Sequence, residues 1–209
     1  MFDLSLYLVT DRSLSKGRDI EWIVEEAVLG GVTMVQLREK DCTTREFVSL
    51  AQRLKKKLQP FNVPLIINDR VDVVLASDAD GLHIGQSDMP YNIAREILGY
   101  NKIIGLSVEN MDDVRESNRI DVDYIGISPI FSTSTKTNTK KPFGISGIRD
   151  VVAITRHKTV AIGGIGISNA ADIMKAGADG ISVVSAIMSA DNPRLEAERL
   201  IQLITRAEK

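Results

Sequence analysis

Three polar side chains at alternating positions are the first candidates for chemistry. Gln36, Arg38 and Lys40 stand two residues apart at the end of a short apolar run. Because side chains alternate between the two faces of a strand, these three share one face and bring an amide and two cations together. Such a cluster suits a polyphosphate. A strand that ends in a solvent-exposed cluster of charged side chains would give the same pattern.

Two aspartates follow neighbouring apolar runs farther along the chain. Asp69 comes after Val63–Ile67, and Asp88 comes after Gly81–Ile84. If these runs are adjacent parallel strands, both carboxylates reach the same edge and could share one hard cation. Mg²⁺ typically takes one or two carboxylates, substrate phosphate oxygens and water. The alternative is local: Asp69 would cap the following helix, and Asp88 would lie in a turn.

A third candidate site is rich in glycine. Gly163, Gly164 and Gly166 follow one apolar run, and Ser185 follows the next. Glycine allows backbone N–H groups to approach an anion closely. In a barrel of alternating strands and helices, the loops after strands seven and eight often bind phosphate. Ordinary turn chemistry is the alternative interpretation.

These polar segments need eight strands to position them. The apolar runs that predict strands are Leu4–Thr10, Thr33–Leu37, Val63–Ile67, Gly81–Ile84, Lys102–Ser107, Tyr124–Ile127, Thr159–Ile162 and Gly180–Val184. A helical or mixed segment separates each pair, and an open doubly wound sheet rarely has so many regular units in a short chain. The sequence therefore predicts the α/β class and a single-domain (β/α)₈ TIM barrel over residues 1–209. In that fold the active site lies at the C-terminal ends of the strands.

Composition excludes several classes of function. The formal net charge of −2 argues against a nucleic-acid-binding protein, which usually has a strongly basic face. No apolar run approaches the roughly 18 residues that span a bilayer, so no membrane partner is expected. One cysteine, Cys42, fits a reducing compartment, and we expect a cytoplasmic protein. A homo-oligomer stays open, because exposed helix faces look alike in sequence.

The residues alone leave three kinds of protein open: an isomerase, an enzyme of phosphoryl or pyrophosphate chemistry, and a non-catalytic sensor of phosphate ligands. The stretch from Ser128 to Pro142 is rich in Ser, Thr and Lys and nearly free of apolar side chains. Irregular segments of that length are usually functional or disordered. We expect this one to close over bound ligands.

Seven segments in order resemble one family. They are Leu8–Asp11, Gln36–Lys40, Ile66–Arg70, Gly81–Gln86 with Asp88, Thr133–Lys136, Ile162–Ile165 and Val183–Ala186. Together they cover nearly the whole chain and closely resemble thiamine phosphate synthases, also called thiamine-phosphate pyrophosphorylases. The resemblance implies a transferase that joins hydroxymethylpyrimidine diphosphate, hereafter the pyrimidine diphosphate, to a thiazole phosphate. The products would be thiamine phosphate and pyrophosphate.

The resemblance also implies site residues. The pyrimidine diphosphate would be bound by Gln36, Leu37, Arg38, Glu39, Lys40, Asn68, Ser107 and Lys136, of which Arg38, Lys40 and Lys136 would be catalytic. The thiazole phosphate would be bound by Thr133, Ser134, Thr135, Gly164, Val184 and Ser185. Asp69 and Asp88 would hold Mg²⁺. Ser132 and Asn138 depart from the proline and the acid that the family usually has in this loop.

Two alternatives remain beside the synthase. A thiazole tautomerase of the same fold shares the Arg-Glu-Lys and Ile-Asn-Asp-Arg segments, but it typically has Gly-His where this chain has Ser128-Pro129. It also lacks the equivalent of the Thr-x-Thr-Lys run. A catalytically inactive phosphate-ligand binding protein is the second alternative, and the presence of both aspartates and of Arg38, Lys40 and Lys136 argues against it.

Overall fold

The computed structural model describes residues 2–132 and 141–207. Its eight parallel strands close into a barrel in chain order, as the sequence predicts. They are β1 (Leu6–Val9), β2 (Met34–Leu37), β3 (Leu65–Asn68), β4 (Gly81–Ile84), β5 (Ile103–Val108), β6 (Tyr124–Ile127), β7 (Lys158–Ile162) and β8 (Gly180–Val183). The described chain is thus a single-domain (β/α)₈ TIM barrel, and the predicted strand bounds hold to within about two residues.

Helices surround the barrel. The α-helices are α1 (Ile20–Leu29), α2 (Thr44–Leu58), α3 (Val71–Ser77), α4 (Tyr91–Leu98), α5 (Met111–Ser117), α6 (Gly144–Ile154), α7 (Ala170–Lys175), α8 (Ser185–Met188) and α9 (Pro193–Ala207). Short 3₁₀ turns cover Arg12–Ser15 and Gln59–Phe61. Within the described ranges, no helix has the length and apolar character that a membrane span requires.

Local sequence signals set the helix ends. Thr43 and Glu46, three residues apart as a capping box requires, form one at the start of α2, where each side chain accepts the other residue's backbone N–H. The Asn192 side chain accepts the Leu195 N–H at the start of α9, with proline at the first helical position. Beyond α1, Gly31 has φ +105°, a conformation that glycine adopts at little cost. These caps fix where each helix leaves the barrel.

Two apolar layers hold the fold together. One lies between the strands and the surrounding helices, and its helical part includes the apolar stripes of α1 and α2. The other fills the barrel interior, with Tyr7, Met34, Ile66, Tyr124 and Val160 fully buried. The interior is therefore packed over its lower part, as in other barrels of this type. The end near the strand C-termini has room for a ligand.

A recurring aspartate secures the opposite end of the barrel. Asp80, Asp123 and Asp179 each stand directly before an even-numbered strand. Each side chain accepts the backbone N–H of a residue at the start of the preceding strand, over 2.8, 2.8 and 2.7 Å respectively. These contacts pin neighbouring strands in register. Because they lie at the N-terminal face, they stabilise the barrel rather than serve its chemistry.

Candidate active site

A cavity of about 540 Å³ opens at the C-terminal ends of the strands. Residues at or just after every one of the eight strands line it. We call it the mouth cavity. The predicted site residues Gln36, Arg38, Lys40, Asn68, Asp69, Asp88, Ser107, Gly164, Val184 and Ser185 all line the mouth cavity.

The alternating side chains at the end of β2 and just beyond it point to opposite faces, as the strand pattern predicts. Gln36, Arg38 and Lys40 line the mouth cavity. The intervening Leu37 is fully buried in the layer between strands and helices, and the Glu39 side chain is bound by Arg12 through two hydrogen bonds of 3.0 Å. Leu37 and Glu39, which the resemblance placed at the pyrimidine diphosphate, therefore do not line the cavity with their side chains. Alternation along the strand explains both placements.

The loop after β1 holds the loop after β2 in place. The Thr10 hydroxyl accepts the Arg38 backbone N–H at 3.0 Å, and the Asp11 carboxylate lies 3.4 Å from the Arg38 guanidinium. Arg12 pairs with Glu39, whose side chain is only 2% exposed. A bidentate arginine–carboxylate pair fixes orientation as well as distance. The β2 loop is thus ordered before any ligand binds.

Asp69 and Asp88 meet at the mouth cavity, as their strand positions predict. Asp69 accepts a hydrogen bond of 2.7 Å from the Lys40 ammonium. Its backbone has φ +63°, which a residue other than glycine rarely adopts outside turns and functional sites. The helix-capping alternative is wrong for Asp69, because the cap position of α3 is Arg70 and has no side-chain hydrogen bond. Asp88 does close a turn, since its carboxylate accepts the Gly85 N–H at 2.7 Å.

The two carboxylates have opposite pKa shifts. Burial acts to raise the pKa of Asp69, but hydrogen bonds with Lys40 and Asp88 outweigh it and lower the pKa below its ordinary value. For Asp88, burial and the adjacent Asp69 raise the pKa, against the opposing effect of the Gly85 N–H. The pair therefore takes up a proton at Asp88 before Asp69.

The donor chemistry of this pair fits Mg²⁺. Two adjacent carboxylates offer hard oxygen ligands, and magnesium sites commonly combine one or two carboxylates with substrate phosphates and water. Over residues 2–132 and 141–207, no group of three or more His, Cys, Asp or Glu side chains could hold a metal ion. The pair thus suits a metal whose remaining ligands come from substrate and solvent.

The glycines after β7 hold their carbonyls against neighbouring loops, which leaves the following N–H groups pointing the other way. The Gly163 carbonyl accepts the Phe131 N–H at 3.1 Å, and the Gly164 carbonyl accepts the Asn169 side-chain amide at 2.9 Å. In a trans peptide the N–H points opposite to the carbonyl. The N–H groups of Gly164 and Ile165 therefore point away from Phe131 and Asn169, and both residues line the mouth cavity.

Gly164 is also required by the backbone itself. Its φ is +68°, and an added Cβ would lie 2.9 Å from the Phe131 Cβ and 3.1 Å from the Ser132 carbonyl oxygen. The sequence argument explained this glycine by the approach of a phosphate and, as the alternative, by ordinary turn chemistry. The structure adds strain and crowding as reasons that act without any ligand.

The Thr133–Thr135 segment and Lys136 lie outside the described residues. The expected contacts of these four residues with either substrate, and the expected closure of the loop that carries them, stay predictions.

Sequence reasoning missed the polar floor of the cavity. His83, which the sequence predicts to be packed or hydrogen-bonded, is both, with 5% exposure, and it also lines the cavity. Its Nδ1 lies 2.9 Å from the Tyr124 hydroxyl, and its Nε2 lies 2.9 Å from the Ser107 hydroxyl. The inward alternation of β4, on which His83 follows Gly81, was the signal that could have placed it in the cavity. Ser182 lies in the wall, with a buried hydroxyl that has no hydrogen-bond partner among the described residues.

Comparisons with known proteins agree on one family. The family model described as thiamine monophosphate synthase matches residues 6–187. The chain is 52% identical to the thiamine-phosphate synthase of Albidiferax ferrireducens over 96% of its own length and 92% of that protein. It is 54% identical to the thiamine-phosphate synthase of Leptospira biflexa over 90% of its own length and 92% of that protein.

A solved structure agrees as well. The thiamine phosphate pyrophosphorylase from Pyrococcus furiosus superposes with a TM-score of 0.91 at 36% sequence identity. The match covers 99% of this chain and 98% of that one. The likeness therefore extends over nearly the whole length of both chains.

Proposed function

This chain belongs to the thiamine monophosphate synthase family, and from that membership we propose how its mouth cavity works. It is a transferase of thiamine biosynthesis that forms thiamine phosphate. The proposal rests on one observation: the same cavity is lined by Arg38 and Lys40 on one side and by Gly164 and Ser185 on the other. Two separate anion sites in one cavity suit a reaction between two phosphorylated substrates.

Arg38 and Lys40 bind the diphosphate of the pyrimidine substrate. Both are partly exposed cations, with 27% and 49% of their side chains accessible. Each is paired with a carboxylate in the ligand-free protein, Arg38 with Asp11 and Lys40 with Asp69. The incoming diphosphate replaces these partners. The resemblance adds Lys136 as a third cation, together with Gln36, Asn68 and Ser107 as further contacts to this substrate.

Asp69 and Asp88 hold the Mg²⁺ ion. Bound there together with the diphosphate, it would neutralise charge on the leaving group as the bond to carbon breaks. The raised pKa of Asp88 means that metal binding competes with a proton at this carboxyl.

The backbone after β7 and β8 binds the thiazole phosphate. The N–H groups of Gly164 and Ile165 point away from the contacts that the carbonyls of Gly163 and Gly164 make with Phe131 and Asn169. Val184 and Ser185 line the same cavity. Backbone N–H groups at such loops are common phosphate ligands. The resemblance adds Thr133, Ser134 and Thr135 to this subsite.

The reaction follows a dissociative path. The bond between the pyrimidine methylene carbon and the diphosphate oxygen breaks, and pyrophosphate leaves with both electrons. The aminopyrimidine ring donates electron density to the resulting cationic methylene, and the thiazole nitrogen then attacks it to form the new carbon–nitrogen bond. Arg38 and Lys40 stabilise the charge that develops on pyrophosphate, which is usually the largest catalytic contribution of such groups.

The remaining task of the cavity is to align the substrates. No side chain acts as a nucleophile on this path, so Cys42, which packs against the outer apolar layer, has no part in it. Holding the thiazole nitrogen and the methylene carbon in line supplies the rest of the rate enhancement. The walls also exclude water, which would convert the cation to an alcohol.

Substrate-specific kinetics tests the assignment of the two subsites. Purified protein with Mg²⁺ and both substrates forms thiamine phosphate and pyrophosphate. We expect Arg38→Gln to raise the KM for the pyrimidine diphosphate at least about 10-fold, with little change in the KM for the thiazole phosphate. Arg53→Gln is the matched control, because Arg53 is an exposed arginine on α2 that pairs with Glu21. Equal changes in both KM values would contradict the assignment.

The product also separates the alternatives. A thiazole tautomerase would convert the thiazole without consuming the pyrimidine diphosphate, and an inactive binding protein would form no product. We further infer a cytoplasmic location, which the single cysteine supports.

A further inference from the structure

A chain of hydrogen bonds crosses the barrel directly beneath the mouth cavity. The Gln36 side-chain amide donates to the Tyr7 hydroxyl at 2.8 Å, and the Tyr7 and Tyr124 hydroxyls lie 2.9 Å apart. The Tyr124 hydroxyl lies 2.9 Å from His83 Nδ1, and His83 Nε2 lies 2.9 Å from the Ser107 hydroxyl. The five residues come from β1, β2, β4, β5 and β6. The chain's two ends and His83 line the cavity, whereas both tyrosines are fully buried.

The first link gives the whole chain a direction. An amide nitrogen can only donate, so the Tyr7 oxygen accepts from Gln36. The Tyr124 oxygen is then the acceptor within reach of the Tyr7 proton among the contacts of the described residues, and we assign that proton to it. Tyr124 then donates to His83 Nδ1, which must be unprotonated to accept. Burial raises the pKa of both tyrosines, so their hydroxyls keep the protons that this direction requires.

We propose that Tyr124 is a positioning residue: it fixes the proton of neutral His83 on Nε2 and thereby turns the Ser107 hydroxyl hydrogen toward the mouth cavity. His83 Nε2–H donates to the Ser107 oxygen, so the Ser107 hydroxyl donates to the substrate. A ring nitrogen of the aminopyrimidine is the acceptor whose chemistry fits. This inference rests on the proposed function, because it takes the pyrimidine diphosphate as the ligand beside Ser107.

Packing fixes the Tyr124 hydroxyl in space. Its ring fills the volume that a side chain at residue 105 would take, since a Cβ on Gly105 would lie 2.1 Å from the Tyr124 Cζ. The His83 ring stacks on the Tyr124 ring at 5.6 Å, and the Tyr7 ring meets it edge-on at 5.9 Å. The tyrosine therefore has no room for another orientation, and its hydroxyl is a fixed reference for His83.

The direct test is the tautomer of His83. Nitrogen-15 NMR of the ligand-free protein, at a pH where histidine is neutral, distinguishes a proton on Nε2 from one on Nδ1. The chain has two histidines, so a His157→Gln variant assigns the signals. We expect the Nε2–H form. The Nδ1–H form would mean that the chain runs in the opposite direction, and it would overturn the proposal.

Two single-hydroxyl variants test the consequence for the substrate. Tyr124→Phe removes the contact with His83, so we expect mixed tautomers and a loss of about 5- to 10-fold in kcat/KM for the pyrimidine diphosphate. The KM for the thiazole phosphate should not change. Tyr7→Phe removes the link that sets the direction of the chain but leaves the Tyr124 hydroxyl with His83 Nδ1 as its acceptor. The Nε2–H form should therefore be disturbed less than in Tyr124→Phe, and the loss should be smaller.

Equal losses in both variants, or an unchanged tautomer in Tyr124→Phe, would show that the tyrosines serve only to fill the barrel. The tautomer of the parent protein is measured without substrates, so it decides the proposal even if a variant does not fold. It also separates this inference from the proposed function. A parent protein that forms no thiamine phosphate would refute the function and leave the tautomer result standing.

Discussion

Replacing each of the two paired carboxylates by its amide should lower activity alike but move stability in opposite directions. Asp69 has a lowered pKa because Lys40 and Asp88 stabilise its charge against the effect of burial. Its ionised form therefore favours folding. Asp69→Asn loses the pair with Lys40, which is 2.7 Å long and about half exposed. Pairs of this kind contribute about 0.5–1 kcal/mol, so we expect Tm to fall by roughly 1–4 °C.

Asp88→Asn should have the reverse effect on stability. Burial and the Asp69 carboxylate raise the pKa of Asp88, so its ionised form opposes folding at neutral pH. The amide removes this charge and keeps an oxygen that can accept the Gly85 N–H, now 2.7 Å from the carboxylate. We expect Tm of the ligand-free protein at pH 7 to rise by a similar amount.

The pH dependence has opposite signs for the two groups. The folded-state pKa of Asp69 lies below its unfolded value, so its contribution is present above the unfolded pKa and is lost as pH falls through the folded one. The folded-state pKa of Asp88 lies above its unfolded value. The ionised carboxylate therefore begins to destabilise the fold as pH rises from the unfolded pKa through the folded one. The stabilisation by Asp88→Asn should therefore vanish in acid, where both states are protonated.

Activity should fall at least about 10²-fold in both variants, comparable to the loss of one preorganised electrostatic group, with a higher Mg²⁺ requirement. The assay is pyrophosphate release over a Mg²⁺ titration, with thermal melts of the same samples. Asp78→Asn is the control, because Asp78 also has a left-handed backbone (φ +52°) and a lysine partner at 2.5 Å. Parent-like turnover of both variants at low Mg²⁺ would refute the metal site. Equal destabilisation by both would refute the electrostatic argument.

Three further outcomes follow from the cavity wall. Gly164→Ala should lower the free energy of unfolding by about 1–3 kcal/mol because of its positive φ and the nearby Phe131, and it should also raise the KM for the thiazole phosphate. Gly166→Ala is the control, because an added Cβ there meets nothing within 4 Å, and it should change the free energy of unfolding by less than about 0.5 kcal/mol. Urea titrations measure the free energy of unfolding of both variants. Ser182→Ala should raise the free energy of unfolding by about 1 kcal/mol, because it removes a buried hydroxyl that has no hydrogen-bond partner among residues 2–132 and 141–207; a lower melting temperature would contradict this. Calorimetry without turnover should show that omitting Mg²⁺ weakens binding of the pyrimidine diphosphate about 10- to 100-fold, and equal affinity would contradict a shared site.

Local rules were enough to predict most of the fold and the placement of several cavity-lining residues. Alternation along β2 was enough to place Gln36, Arg38 and Lys40 on the cavity side. The strand-end positions of Asp69 and Asp88 were enough to bring them together once the barrel was inferred. Each of these predictions uses only the period of a strand and the edge at which parallel strands end.

The missed features depend on contacts between distant segments. Tyr7 and Tyr124 lie 117 residues apart in the chain, and their contact follows from how β1 and β6 face each other across the closed barrel. The left-handed backbone of Asp69 and the crowding of Gly164 against Phe131 also depend on which loop passes nearby. Sequence spacing carries no signal for such contacts, so the floor of the cavity became visible only in three dimensions.

The charge of the cavity wall explains why the metal and the substrate should bind together. Among the described lining residues, the two cations Arg38 and Lys40 lie with three acids on the neighbouring loops: Asp11, Asp69 and Asp88. This part of the wall therefore has an excess of negative charge, and a diphosphate alone would meet repulsion there. By linkage, a divalent cation and the diphosphate would each raise the affinity for the other by the same factor. Asp69 and Asp88 would hold the cation, and we expect Lys40, which pairs with Asp69, to become available to the pyrophosphate once that carboxylate is engaged.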